Sequence, residues 1–263
     1  MRESSHAHRT HAIAAAASVT PVRIAVLSDI HSNLHALDAV LADIEREQPD
    51  DLWCLGDVVG YGPRPNECVD RVREAASLSL CGNHDLAVLG TIDIAEFSGD
   101  AAAAAMWTRG VLGEAQSDWL GSLEPAAERD GVELFHGSPR DPVWDYVLSD
   151  EAALASLEET STPLVLVGHS HVALAISLVE GQLDGGLAPA ETSVELDGRR
   201  WLLNPGSVGQ PRDGDPQAAW LLIDSDARRA TFRRVPYPIE QTQSEIFKEG
   251  LPLALAVRLS HGI

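Results

Sequence analysis

Five short apolar runs in this chain each end on a polar motif built from Asp, Asn and His, and that repeated pairing restricts the fold more than any other feature. Residues 22–28 run into Asp29-Ile30-His31, 52–55 into Gly56-Asp57, 78–81 into Gly82-Asn83-His84-Asp85, 132–135 into His136-Gly137, and 164–167 into Gly168-His169-Ser170-His171. Apolar runs this short, bounded by turn-forming residues, read as buried parallel strands. In an open α/β sheet the carboxyl ends of such strands form the ligand-binding rim. The five motifs therefore converge, bringing together the carboxylates of Asp29 and Asp57, the amide of Asn83 and five imidazoles. That donor set predicts a metal site.

Between these motifs the pattern is that of a βαβ protein. Ser32 or Asn33 caps a helix in which Leu34, Leu37, Val40, Leu41 and Ile44 recur at helical spacing, with Pro49 beyond its end. A second helix has Pro65 near its first turn and Val69 and Val72 inward. Residues 93–125, with Trp107 and Trp119, are helix-rich and lie between the third and fourth motif-bearing strands. They either cap the site mouth or pack on the sheet. After a surface helix at 151–159, strands predominate: 164–167, 173–179, 192–196, 199–203, 218–223 and 230–235. Asp197-Gly198 predicts a hairpin between two of them. Helices at 240–248 and 253–259, separated by Gly250 and Pro252, follow. A parallel first half feeding an antiparallel second half predicts two stacked sheets with helices outside.

Residues 1–20 lack periodicity and read as a disordered extension, leaving 21–263 as one domain. The alanine run at 14–17 is too short for a secretory signal, and His6, His8 and His11 could gather metal only adventitiously. With 263 residues and 44% apolar content, one full core can be buried. The net charge of −21 argues against general nucleic-acid binding and against anionic membranes. Cys54, Cys68 and Cys81 lack Cys-x-x-Cys spacing and suit structural thiols in a reducing cytoplasm. No apolar run approaches the roughly 18–20 residues of a membrane span.

Ligand counting narrows the chemistry. One carboxylate can bridge two divalent ions about 3.5–4 Å apart, the arrangement that clamps both oxygens of an in-line phosphoryl displacement. Asp57, central in the strand order, is the natural bridge. Imidazole with carboxylate suits manganese, iron, zinc or nickel better than magnesium or calcium. Two carboxylates against two dications leave about +2, which draws a phosphate to a strongly acidic chain. A lone Asp-x-His, or one His at a strand end, is more often structural than ligating. The weight rests on five motifs in fixed order at strand ends.

Those five motifs resemble the signature blocks of the calcineurin-like metallophosphoesterases, over roughly residues 22–235. The wording at 29–33, at 56–63 and at Asn204-Pro205-Gly206-Ser207-Val208-Gly209-Gln210-Pro211-Arg212 is similar to a small bacterial phosphodiesterase branch. The resemblance implies a four-layer α/β/β/α sandwich, two mixed sheets flanked by helices. It implies a dinuclear hydrolase of phosphoric esters, diesters before monoesters, acting on a small phosphoester or nucleotide. Two divalent ions per chain are expected, manganese first, with iron, zinc or nickel as alternatives. One would take Asp29, His31, Asp57 and His171, the other Asp57, Asn83, His136 and His169. A metal-bridging hydroxide would be the nucleophile and His84 the general acid.

Departures from the family's protein-phosphatase branch are informative. Gly60 and Tyr61 stand where that branch has an Asp-Arg pair, and Cys81 where it has an Arg before the third block. This counts against a phosphoprotein phosphatase and leaves His84 without an assigned orienting partner; Asp85 beside it does not follow as one. Arg140 and Asn33 are candidates for phosphate contact, equally suited to a surface ion pair and a helix cap. A non-catalytic scaffold of the same fold, engaging a protein partner, is the alternative, but no ligand is missing. A dinuclear amide or lactone hydrolase would show a His-x-His-x-Asp-His string, which is absent. Homo-oligomerisation is compatible with the sequence.

Overall fold

A computed structural model describes residues 23–263. The extension read at 1–20, with His6, His8 and His11, lies outside the described residues. In chain order the elements are β1 (Arg23–Leu27), α1 (Leu34–Glu47), β2 (Asp51–Cys54), α2 (Pro65–Ala75), β3 (Leu78–Ser79) and α3 (Asn83–Leu89). Then come α4 (Gly99–Val111), α5 (Glu114–Leu120), β4 (Ala126–Arg129), β5 (Val132–Phe135), α6 (Asp150–Glu159), β6 (Leu164–Val167) and β7 (Ala173–Val179). The remainder is β8 (Gln182–Leu187), β9 (Ser193–Glu195), β10 (Arg200–Pro205), β11 (Ala218–Asp224), β12 (Arg229–Val235), α7 (Ile239–Lys248) and α8 (Leu253–Val257).

The strands form two six-stranded mixed sheets, ordered β3-β2-β1-β11-β12-β9 and β4-β5-β6-β10-β7-β8. β1, β2 and β3 run parallel in the first, and β5, β6 and β10 in the second. Side-chain alternation builds the layers. Ala25 and Leu27 of β1 pack with Leu37 and Val40 of α1 and Val69 and Val72 of α2. Ile24 and Val26 turn the other way, into the layer between the sheets, with Trp53, Leu134, Leu166, Trp201 and Leu203. Val165, Val167 and Leu202 then face Ala153 and Leu157 of α6. The order is helix, sheet, sheet, helix, the sandwich the resemblance implied. Trp53 and Trp220 are fully buried, and removing either ring would cost about 3–5 kcal/mol.

Local reading failed at one turn and at two edge strands. Asp197-Gly198 does not close a hairpin: β9 pairs with β12 in one sheet, whereas β10 lies between β6 and β7 in the other. The Asp-Gly turn matches a hairpin locally, but Trp201, Leu202 and Leu203 need cover on both faces, which only the middle of a sheet supplies. β4 and β8 were not anticipated. Both are edge strands, one rich in Ala and one interrupted by Gly185-Gly186, so neither carries a strong strand signal. The 93–125 segment divides between the two roles considered for it. Ala105 of α4 and Leu120 of α5 are buried in the cluster that holds Ala25 and Leu27 of β1, while Phe97, just ahead of α4, meets the ring of His84 edge-on at 4.8 Å.

Candidate metal centre

The strands stop where the chemistry starts. Beyond β1, β2 and β6 the backbone enters the left-handed region at Asp29 (φ 54°), His31 (49°), Asp57 (51°), His169 (61°) and His171 (59°). Asp and His tolerate that region better than most side chains, at about 1–3 kcal/mol each. Hydrogen bonds between the loops hold them there. Asp29 N–H donates to the Gly56 carbonyl (3.0 Å), Ile30 and His31 N–H to that of Asp57 (2.9 and 3.0 Å), and Gly168 N–H to that of His136 (2.9 Å). At Gly82 any side chain would run into the Asp57 carboxylate.

The 204–212 stretch is a clasp across both sheets. Ser207 Oγ and Gly209 N–H donate to the Asp29 carbonyl at 2.7 and 2.9 Å. Asn204 Nδ2 donates to the Gly168 carbonyl at 2.7 Å, and the Gln210 carbonyl accepts from His171 Nδ1 at 2.6 Å.

Seven side chains converge inside this frame. One oxygen or nitrogen from each of Asp29, His31, Asp57 and His171 lies within 4.8 Å of the others, and the same holds for Asp57, His136 and His169. Asp57 belongs to both groups, and Asn83 Oδ1 joins the second at 3.3 Å from His136 Nε2. Nδ1 of His31, His136 and His171 each faces a backbone carbonyl, of Val59 (3.2 Å), Leu55 (2.9 Å) and Gln210. Donation there fixes the tautomer and leaves Nε2 with its lone pair inward. Asp57 Oδ1 accepts from His84 N–H (2.9 Å) and Asp29 Oδ2 from His169 N–H (3.1 Å).

The atoms left over point into the same space. Asp29 Oδ1, Asp57 Oδ2 and His169 Nε2 are buried without a hydrogen-bond partner. The Nε2 atoms of His31 and His171 stand 3.0 Å apart, and Asp57 Oδ2 is 3.5 Å from Nε2 of both His31 and His136. Lone pairs gathered so closely repel unless a cation lies among them, so the donor set fits divalent metal.

Burial lowers the pKa of His31, His84, His136 and His171, and with the neighbouring His136 takes His169 to about 3. Neutral imidazoles are the ligating form. Burial, with Asp85 and Asp29 nearby, raises Asp57; at Asp29 burial pushes up, but His171, His136 and Ser28 together hold the carboxyl below its usual range.

The remaining candidates are placed elsewhere. Asn33 accepts from Ala36 N–H (3.3 Å) and Thr242 Oγ1 (2.9 Å) and donates to the Gly209 carbonyl (2.8 Å), so it is a buried helix cap rather than a phosphate contact. Arg140 places Nε and Nη2 on Asp145 Oδ2 at 3.0 and 2.6 Å, a surface ion pair instead. Asp85 accepts from the N–H groups of Val58, Val59 and Gly82 and does not turn to His84. The His84 ring is set by packing: Tyr61 at 4.3 Å, His31 at 4.8 Å, Phe97, and Gly60, where a Cβ would strike its Nδ1.

Sequence reasoning left an aromatic and cationic wall without a role. Tyr61 packs on His31 (4.6 Å), Tyr146 stacks on His169 (3.9 Å), and Arg212 lies over the Tyr61 ring (5.9 Å). Arg212 ends the 204–212 motif, which was its only signal; Phe97 and Tyr146 carry none.

A sandwich of two mixed sheets with an Asp- and His-rich divalent-metal centre at its rim defines a metallophosphoesterase. The chain belongs to the calcineurin-like phosphoesterase superfamily, whose sequence model matches residues 22–227. Uncharacterized protein MJ0912 of Methanocaldococcus jannaschii is 38% identical over 247 residues, covering 91% of this chain and 98% of its own. The crystal structure of a metallophosphoesterase from Sphaerobacter thermophilus is 40% identical, covers 93% of this chain and all of its own, and superposes with a TM-score of 0.85. Hypothetical protein PH1004 from Pyrococcus horikoshii, 22% identical over 92% of this chain and 99% of its own, shares the fold with a TM-score of 0.74. Among the described residues no helix is long and apolar enough to cross a membrane, and the three cysteines are free and buried.

Proposed function

We propose that the protein is a phosphodiesterase with a dinuclear centre, in which Asp29, His31, Asp57 and His171 hold one ion and Asp57, Asn83, His136 and His169 the other. The observation that carries this reading is the membership of Asp57 in both donor groups, with its Oδ2 buried and unpartnered. Two divalent ions bound there would supply Lewis acidity at the phosphoryl oxygens and an acidified water. Manganese is the ion proposed, from the mixed imidazole, amide and carboxylate donors.

His84 is the proton donor. Its N–H is tied to Asp57, which sets it beside both donor groups without using its ring. Nδ1 is buried against Gly60, so Nε2 is the atom from which a proton passes to the leaving oxygen; burial disfavours the imidazolium in the free protein, and the negative charge of a bound phosphoester is what would favour it. Diesters are preferred because the rim is walled by the rings of Tyr61, Phe97 and Tyr146, surfaces suited to the ester's second organic substituent. The substrate is a small phosphoester and no nucleic-acid partner is involved.

The test is hydrolysis of a panel of phosphodiesters and phosphomonoesters by manganese-loaded protein. Turnover of bis(p-nitrophenyl) phosphate above the monoester, abolished by chelator, is expected. No turnover with manganese, iron, zinc or nickel would sink the reading, and a monoester preference would remove its diester part.

A further inference from the structure

Behind the aromatic wall two guanidinium groups meet without an acid between them. Arg212 Nη2 donates to Gln210 Oε1 (3.0 Å) and to Tyr61 Oη (3.3 Å), and Arg258 Nη1 donates to the same Gln210 oxygen at 3.3 Å. Neither forms an ion pair among the described residues, whereas Arg64, Arg140, Arg233 and Arg234 all do. Arg212 Nε is buried with no partner at all. One neutral amide oxygen is shared between two cations in a chain with 40 acidic residues to choose from. Burial first, and then the charge of Arg212, pull the Arg258 pKa down against the opposing charges of Tyr61 and Asp100. An anion placed between them returns that repulsion as binding energy.

The corner adjoins the metal centre. Arg212 N–H donates to the His171 carbonyl at 3.1 Å, and the Tyr61 ring beneath its guanidinium packs on both His31 and His84. Outward, Tyr61 and Arg258 border an open cavity of about 390 Å³ that Asp100, Leu255 and Ile263 also line, within the size range of small-ligand pockets. Two forked guanidiniums match the oxygens of a phosphate dianion better than a carboxylate, which one arginine suffices to hold.

We infer that Arg212 and Arg258 bind a second phosphoryl group of the substrate, one that is not cleaved, so that the ligand class is an organic di- or polyphosphate. The inference rests on the phosphoesterase reading for the scissile end of that ligand.

Calorimetric titration of manganese-loaded, full-length protein with AMP and with α,β-methylene-ADP tests it without needing turnover. Wild type is expected to bind the two-phosphoryl ligand at least about 10-fold more tightly than AMP. In R258A the ratio should fall to within about 3-fold, and R258K, which keeps the charge but loses the fork, should lie between. Equal affinities in wild type, or a ratio that survives in both variants, overturns the inference. The two readings fail separately. A wild-type ratio near one in protein that hydrolyses esters removes only the second phosphoryl site; a high ratio lost in R258A, in protein inert towards every ester, removes only the phosphoesterase.

Discussion

The inner rim and the outer wall of the site are built by different means. On the rim, three imidazoles are pinned through Nδ1 to backbone carbonyls, and both carboxylates accept from backbone N–H groups. Five rim residues, Asp29, His31, Asp57, His169 and His171, take left-handed backbone to reach their places. On the wall, Tyr61, Phe97, Trp144 and Tyr146 are located by ring contacts of 3.9–5.4 Å, and Tyr146 is 43% exposed. Backbone pinning fixes ligand atoms to the tolerance that coordination demands, whereas ring packing lets side chains adjust to a substrate. His84 joins the two regions: its N–H belongs to the rim and its ring to the wall.

Breaking the rim should have the largest effect. In Asp57→Asn the amide oxygen can still accept from His84 N–H, so the loop survives, but both donor groups lose their shared charge. Metal content should fall at both positions and diester hydrolysis by more than about 10²-fold, since even supporting residues of metal sites cost 10–100-fold. Metal analysis giving two ions per chain at unchanged affinity would rule out the bridge.

His84→Asn sharpens the comparison, because it removes a ring without removing a ligand. Both ions should remain, with a loss of roughly 10²–10⁴ on an alkyl or nucleoside diester and much less on the p-nitrophenyl ester, whose leaving group needs no proton. Equal losses on both would assign His84 to phosphate binding, and loss of metal would make it a ligand. Phe97→Ala then asks whether the wall positions that ring. It should show the same leaving-group dependence at a smaller size, up to about 10²-fold, with metal content unchanged. A loss independent of leaving group would make Phe97 a substrate contact instead.

The same division decides what could be read beforehand. Rim residues sit in short motifs where a buried strand ends, and Asp, Asn, His and Gly mark the backbone they need, so their convergence followed from topology. The wall assembles from Tyr61, Phe97, Tyr146, Arg212 and Arg258, five segments without shared periodicity, and only their three-dimensional meeting gives them meaning. Asn33 and Arg140 show the converse. Their residue types fitted a phosphate contact, and nearer partners claimed them. Asp197-Gly198 failed because a tight turn looks the same whether the next strand pairs back or crosses to the other sheet.

The smallest effect belongs to the support behind the wall. Glu245 of α7 accepts from Arg64 Nε and Nη2 (3.0 and 2.8 Å), ahead of α2, and lies 3.3 Å from His35 of α1. Its neighbour Ile246 packs with Leu255 and Tyr61. The Arg64 hydrogen bonds outweigh burial and hold the Glu245 carboxyl below its ordinary value of 4.5. A carboxylate with a depressed folded pKa stabilises fully above the unfolded value and loses that contribution as pH falls through the folded one. Arg64 is 43% exposed, so solvent screens the pair, and Glu245→Gln should cost only about 0.5–1 kcal/mol at pH 7. Urea unfolding of both proteins at pH 7 and again below pH 4 should show the difference shrinking at the lower pH, with metal content and diester turnover unaltered at neutral pH. A difference that persists in acid would mean that Glu245 holds α7 by packing rather than by charge.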